Sequence, residues 1–151
     1  MKLFELNYSG NGSEKTVILD TNVIYSGLHK PTGVCGRILV AGIDRLIELH
    51  SIDFAKEELT TNLQRKMGFS RKEILLIIEA LPITWIPRDI YQPNLQRAIS
   101  IVKTEQGAPF VAASIATGFP LISGDRHMRT VAVKRAIRAY EPREFLDTIS
   151  T

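Results

Sequence analysis

Val17, Ile18 and Leu19 form an apolar run that passes directly into Asp20, Thr21 and Asn22. Leu121, Ile122, Ser123 and Gly124 lead in the same manner into Asp125. Short apolar runs of this kind suit strands of a parallel sheet, which are buried on both faces. Each run delivers a carboxylate just past its last apolar residue. One such aspartate would be ordinary, because aspartate is common in turns and at helix starts. Two at equivalent positions point to a shared site. A third acid comes from the helical stretch Asp53–Met67, where Glu57 and Glu58 are adjacent. At about 100° per residue, Ala55, Leu59 and Leu63 form its core stripe, Glu58 sits at the stripe's edge and Glu57 faces solvent. Glu58 is therefore the candidate ligand. The competing reading is an ion pair with a nearby Arg or Lys, since a carboxylate held against the protein body needs a partner.

Gathered carboxylates repel one another, which raises their pKa values, and a divalent cation removes the conflict. An all-oxygen donor set suits Mg²⁺ or Mn²⁺ rather than zinc. His29, His50 and His127 have no ligand spacing, and Cys35 is the sole cysteine. Such a site serves metal-assisted phosphodiester hydrolysis, in which the cation lowers the pKa of a bound water and stabilises charge on the phosphate.

These acids need elements to position them. Strands are expected at Thr16–Leu19, 46–49, Ile83–Ile86, 120–123 and 137–140. Helices are expected at 33–43, at Asp53–Met67 with Asp53 as N-cap, and at 71–81 behind the capping box Ser70-Arg71-Lys72-Glu73. Further helices are expected at 93–105, at 109–117 ended by Gly118, and at Pro142–Ile149. This alternation argues for an α/β fold with a parallel sheet covered by helices on both faces. In such sheets, ligands bind outside the carboxyl ends of the strands.

The chain has 151 residues, 44% hydrophobic, enough for one compact domain. Residues 16–151 are expected to form it. Residues 1–15, which include the polar connector S-G-N-G-S-E-K, are expected to be a flexible N-terminal extension. No apolar run is long enough to cross a membrane, and the N-terminus lacks the pattern of a secretory signal. With a single cysteine and no internal disulfide, the expected setting is cytoplasmic. The net charge of +3 permits a polyanionic partner. Arg126, His127, Arg129, Lys134, Arg135 and Arg138 concentrate that charge after Asp125. Arg126 and Arg129 are candidates for holding a substrate backbone, against the plainer reading of surface charge. The run I-L-L-I-I at 74–78 exceeds what one helix face needs. It reads either as an interface or as a helix packed on two sides.

The segments V-I-L-D-T-N-V-I (17–24), E-E-L (57–59), A-P-F-V-A-A-S (108–114), L-I-S-G-D-R-H-M (121–128) and P-R-E-F-L (142–146) together resemble the PIN domain. Within that family they are most similar to the VapC-like toxins of toxin–antitoxin pairs. The resemblance implies a three-layer α/β/α sandwich around a mostly parallel sheet. It also implies an Mg²⁺- or Mn²⁺-dependent ribonuclease, often a homodimer and often inhibited by a cognate antitoxin. It casts Asp20, Glu58 and Asp125 as catalytic, metal-binding acids, with Asn22 and Ser123 orienting them. The family usually has an aspartate immediately before the A-P-F segment, where this chain has Gly107. Glu105 is the possible substitute acid. The alternative to a ribonuclease is a degenerate PIN domain that binds RNA or a protein partner without cutting.

Overall fold

The computed structural model describes residues 15–149, so the expected N-terminal extension lies, Lys15 aside, outside the described residues. The chain begins with β1 (Thr16–Leu19), followed by α1 (Thr21–His29) and α2 (Val34–Ile43). Next come β2 (Glu48–Ile52), α3 (Asp53–Met67), α4 (Arg71–Ala80) and β3 (Ile83–Ile86). The short α5 (Arg88–Tyr91) runs through a 3-10 turn, Gln92–Asn94, into α6 (Leu95–Val102) and then α7 (Ala108–Thr117). The chain closes with β4 (Leu121–Ile122), α8 (Arg126–Lys134), β5 (Ala139–Tyr140) and α9 (Pro142–Ile149).

The five strands form one sheet in the order β3-β2-β1-β4-β5, with every pair parallel. Side chains of β1 alternate between two cores. Val17 and Leu19 join α1, α2, α4 and α9 on one face. Ile18 joins α5, α6, α7 and α8 on the other. Helix α3 contributes to both, with Leu59 and Leu63 to the first and Ala55 to the second. The expected α/β sandwich with its parallel sheet is the fold observed.

The order of strands also fixes where a site can form. From β1 the chain moves outward to β2 and β3, then returns to the opposite side of β1 to lay down β4 and β5. The connections therefore diverge between β1 and β4. A crevice opens at such a switch point, outside the carboxyl ends of the strands.

Several boundaries differ from expectation for physical reasons. Helix α1 was not anticipated, because its sequence is rich in residues of modest helix propensity. It forms because Val23 and Ile24 are buried against the sheet. Strand β2 starts later than expected and runs through His50 and Ser51, polar residues that are nonetheless buried. The Ser51 hydroxyl donates to the Leu19 carbonyl at 2.7 Å, tying β2 to β1. The helix expected at 93–105 begins as a 3-10 turn and continues only as α6, which Lys103 ends in the left-handed region at φ 62°, while the short α5 precedes it. Asp53 is not the N-cap of α3. That position is Ile52, and the Asp53 carboxylate reaches across to α5 instead. The capping box at Ser70 and Glu73 is present as expected, and Gly118 closes α7 at φ 76°.

Candidate active site

Asp20 follows the last residue of β1, and its amide continues the ladder to the Ile122 carbonyl at 3.0 Å. Ser123 is the first residue beyond β4 and is fully buried. Its hydroxyl donates to Asp20 Oδ2 at 2.7 Å and accepts from the Asp125 amide at 3.0 Å. Asp125 then caps α8, with Oδ1 accepting from the Met128 amide at 3.0 Å. Glu58 comes from the second turn of α3, where the Thr21 hydroxyl donates to its Oε1 at 2.6 Å. Asp20, Glu58 and Asp125 thus border one cleft of about 110 Å³, together with Asn22, Gly107 and Met128.

Burial is the main force on the two inner acids. It pushes the Asp20 carboxyl above the usual carboxylate range, with a smaller push from the negative charge of Asp125. The Ser123 hydroxyl and the nearby amides of Asn22 and Thr21 oppose this by favouring the charged form. Burial raises Glu58 as well, the Thr21 hydroxyl lowers it, and Asp20 adds repulsion. Among the described residues, Thr21 and not an Arg or Lys partners Glu58. The ion-pair reading of that acid therefore does not hold.

The other sequence candidates are placed as follows. Asn22 is exposed and borders the cleft. Arg126 is exposed in the first turn of α8. Arg129 is half-buried and donates through Nη1 to the Ser123 carbonyl at 2.8 Å, so it braces the end of β4. Glu105 is exposed and borders a neighbouring groove, not the acid cleft. Sequence reasoning missed Thr21 as the partner of Glu58, and missed Gln106 and Asn62 in the cleft wall. The signal for Thr21 was its place directly after Asp20, which sets its hydroxyl at the mouth of the same crevice.

A family model of the PIN domain matches residues 18–147, which takes in every acid of the cleft. The chain belongs to the PIN domain family. No curated protein matches it. Membership in the PIN domain family points to a nuclease, and PIN domains generally use divalent metal ions.

The residues of this PIN domain can be tested against such an ion. Among the described residues, no group of three or more His, Cys, Asp or Glu side chains stands ready to hold a metal unaided. The donor chemistry nonetheless fits a hard cation. The ionisable groups of the cleft are all carboxyls, and its two inner ones are raised by burial, with smaller pushes from Asp125 on Asp20 and from Asp20 on Glu58. Mg²⁺ usually keeps several waters and takes one or two carboxylates directly, so a closed protein cage is not required. Gly107 borders the cleft at φ −83°, with no left-handed backbone to demand glycine. A Cβ there would meet Thr104 Oγ1 and Val102 Cγ1 at 3.0 Å and Met128 Sδ at 3.3 Å. These are side-chain atoms, so a small shift would admit a larger residue.

Proposed function

We propose that this PIN domain is a cytoplasmic ribonuclease dependent on Mg²⁺ or Mn²⁺. The reading rests chiefly on one observation, the hydroxyl of Ser123 joining the Asp20 carboxylate past β1 to the backbone amide of Asp125 past β4, in the crevice that Glu58 faces. Asp20, Glu58 and Asp125 would hold the cation. When bound, it supplies a water of lowered pKa and charge stabilisation on the phosphate. Ser123 fixes the rotamer of Asp20, Thr21 fixes Glu58, and the amide of Met128 fixes Asp125. Asn22 orients groups at the mouth of the cleft. Arg126 contacts the substrate backbone, with exposed Lys134 at the far end of α8 and exposed Arg135 just beyond it. Arg129 acts through Ser123 and not on the substrate.

The same reading includes a toxin role under control of an antitoxin. Its support is a second, apolar groove of about 340 Å³ among α1, α2 and α4, bordered by Leu39, Val40, Ile43, Ile77 and Leu81. Val40 and Ile43 are 48% and 61% exposed. Exposed apolar surface of this kind serves a protein partner, here an antitoxin segment or a second copy in a homodimer. Leu75 and Leu76 are also exposed, which removes the reading of I-L-L-I-I as a helix packed on two sides.

A second reading, a PIN domain that binds RNA or a protein without cutting, is favoured by Gly107. The deciding experiment is cleavage of single-stranded RNA with Mn²⁺. The ribonuclease reading expects wild-type activity that Asp20→Asn abolishes with the fold intact. A wild type inert with every divalent ion leaves the non-cutting reading in its place.

A further inference from the structure

A groove of about 400 Å³ adjoins the acid cleft, bounded in part by Phe54, Leu95, Ile99, Arg88, Glu105 and Gln106. It is continuous with the cleft in two ways. Gln106 borders both. Phe54 also meets Phe110, a cleft residue, edge-on with ring centroids 6.5 Å apart.

The groove has a fixed frame. The Asp53 carboxylate accepts from the Phe54 amide at 2.7 Å, the Arg88 amide at 3.0 Å and the Tyr91 hydroxyl at 2.5 Å. One side chain therefore clamps α5 to the start of α3, and the two walls of the groove are held at a set distance. Burial and Asp53 push the Tyr91 hydroxyl well above its usual range, so it remains a donor in this clamp. The walls are apolar, with Ile99 41% exposed. The rim is polar, formed by Arg88, Glu105 and Gln106, all exposed.

We propose that this groove is a nucleobase subsite, which takes a base flanking the phosphate held at the acid cleft and prefers bases that carry an amino group. The proposal deepens the ribonuclease reading and rests on it for the strand's path. A base offers an apolar face to Phe54 and Leu95, a contact that tolerates every base. Its edge then meets Glu105 and Gln106. An ionised carboxylate only accepts hydrogen bonds, so Glu105 favours the amino groups of cytosine, adenine and guanine. Uracil has no amino group, and its single edge donor, N3–H, lies between two carbonyl oxygens that repel the carboxylate. A carboxylate beside a polyanion is unfavourable unless it faces a donor, so Glu105 marks a place for a base edge and not for a phosphate. Arg88, on the same rim, supplies the charge for the adjoining backbone.

The test is a metal-free NMR titration of the full chain with CMP, AMP, GMP and UMP, alongside Mn²⁺-dependent RNA cleavage. Shifts are expected at Phe54, Ile99, Glu105 and Gln106. The amino-bearing nucleotides should bind about threefold to tenfold more tightly than UMP, the worth of one exposed hydrogen bond. Glu105→Gln should erase that preference, and because Glu105 is exposed the fold should be unaffected. No shift in the groove, or a preference unchanged in Glu105→Gln, overturns the subsite even if RNA is cleaved. Groove shifts with the expected preference but no cleavage with any ion would support the subsite and remove the ribonuclease reading alone.

Discussion

The Ser123 hydroxyl lies 2.7 Å from Asp20 Oδ2 and spans 103 residues of sequence to reach it. It is the point at which two strands that meet only in the fold become one site. Ser123→Ala would remove the side-chain donor to a buried carboxylate and leave the Asp125 amide without its acceptor. Unsatisfied buried groups cost about 1–3 kcal/mol. Chemical denaturation should show a loss of that order, and RNA cleavage should fall with it. A variant as stable and as active as wild type would show that the hydroxyl is incidental.

The raised carboxyls set a pH dependence. Asp20 and Glu58 bind their protons more tightly in the folded chain than in the unfolded one. Their contribution to stability is therefore greatest at acid pH. It falls as pH rises from the ordinary carboxylate range through the raised folded values. Without divalent ions, Asp20→Asn should accordingly raise the melting temperature at neutral pH and lose that advantage at acid pH. Melting curves at both pH values check this, and an advantage independent of pH would contradict it.

Arg126 and Arg129 should separate in kinetics. Arg126 is exposed and would touch only the substrate backbone, so Arg126→Ala should raise KM and flatten the salt dependence. Arg129 holds the Ser123 carbonyl, so Arg129→Ala should lower kcat and stability together. Equal KM effects in both variants would assign them the same role.

Gly107→Asp restores the acid usual in the family at the cleft wall. The backbone is permissive, and the side chains of Thr104, Val102 and Met128 need yield only slightly. Calorimetric titration with Mn²⁺ should show tighter binding than wild type. Affinity that is unchanged or weaker would mean that Gly107 is not the missing ligand position.

The architecture was legible because parallel strands buried on both faces read as apolar runs, as in Val17–Leu19 and Leu121–Ile122. The acids were legible because each sits where such a run stops. What stayed hidden followed from tertiary contacts. Helix α1 has weak local propensity and is made by the burial of Val23 and Ile24. Strand β2 continues through His50 and Ser51, whose polarity masks their burial. Asp53 looks like a cap in sequence, yet its partners Arg88 and Tyr91 lie 35 and 38 residues away. Glu105 is only two residues from Gly107, but the turn before α7 sends it to the neighbouring groove.

The central claim is that Asp20, Glu58 and Asp125 together hold a hard divalent cation. Anomalous diffraction from crystals soaked in Mn²⁺ tests it directly. The account predicts a peak in the cleft within coordinating distance of these carboxylates, lost in Asp20→Asn. A cleft without a peak at saturating Mn²⁺, or a peak held by other residues, would contradict it.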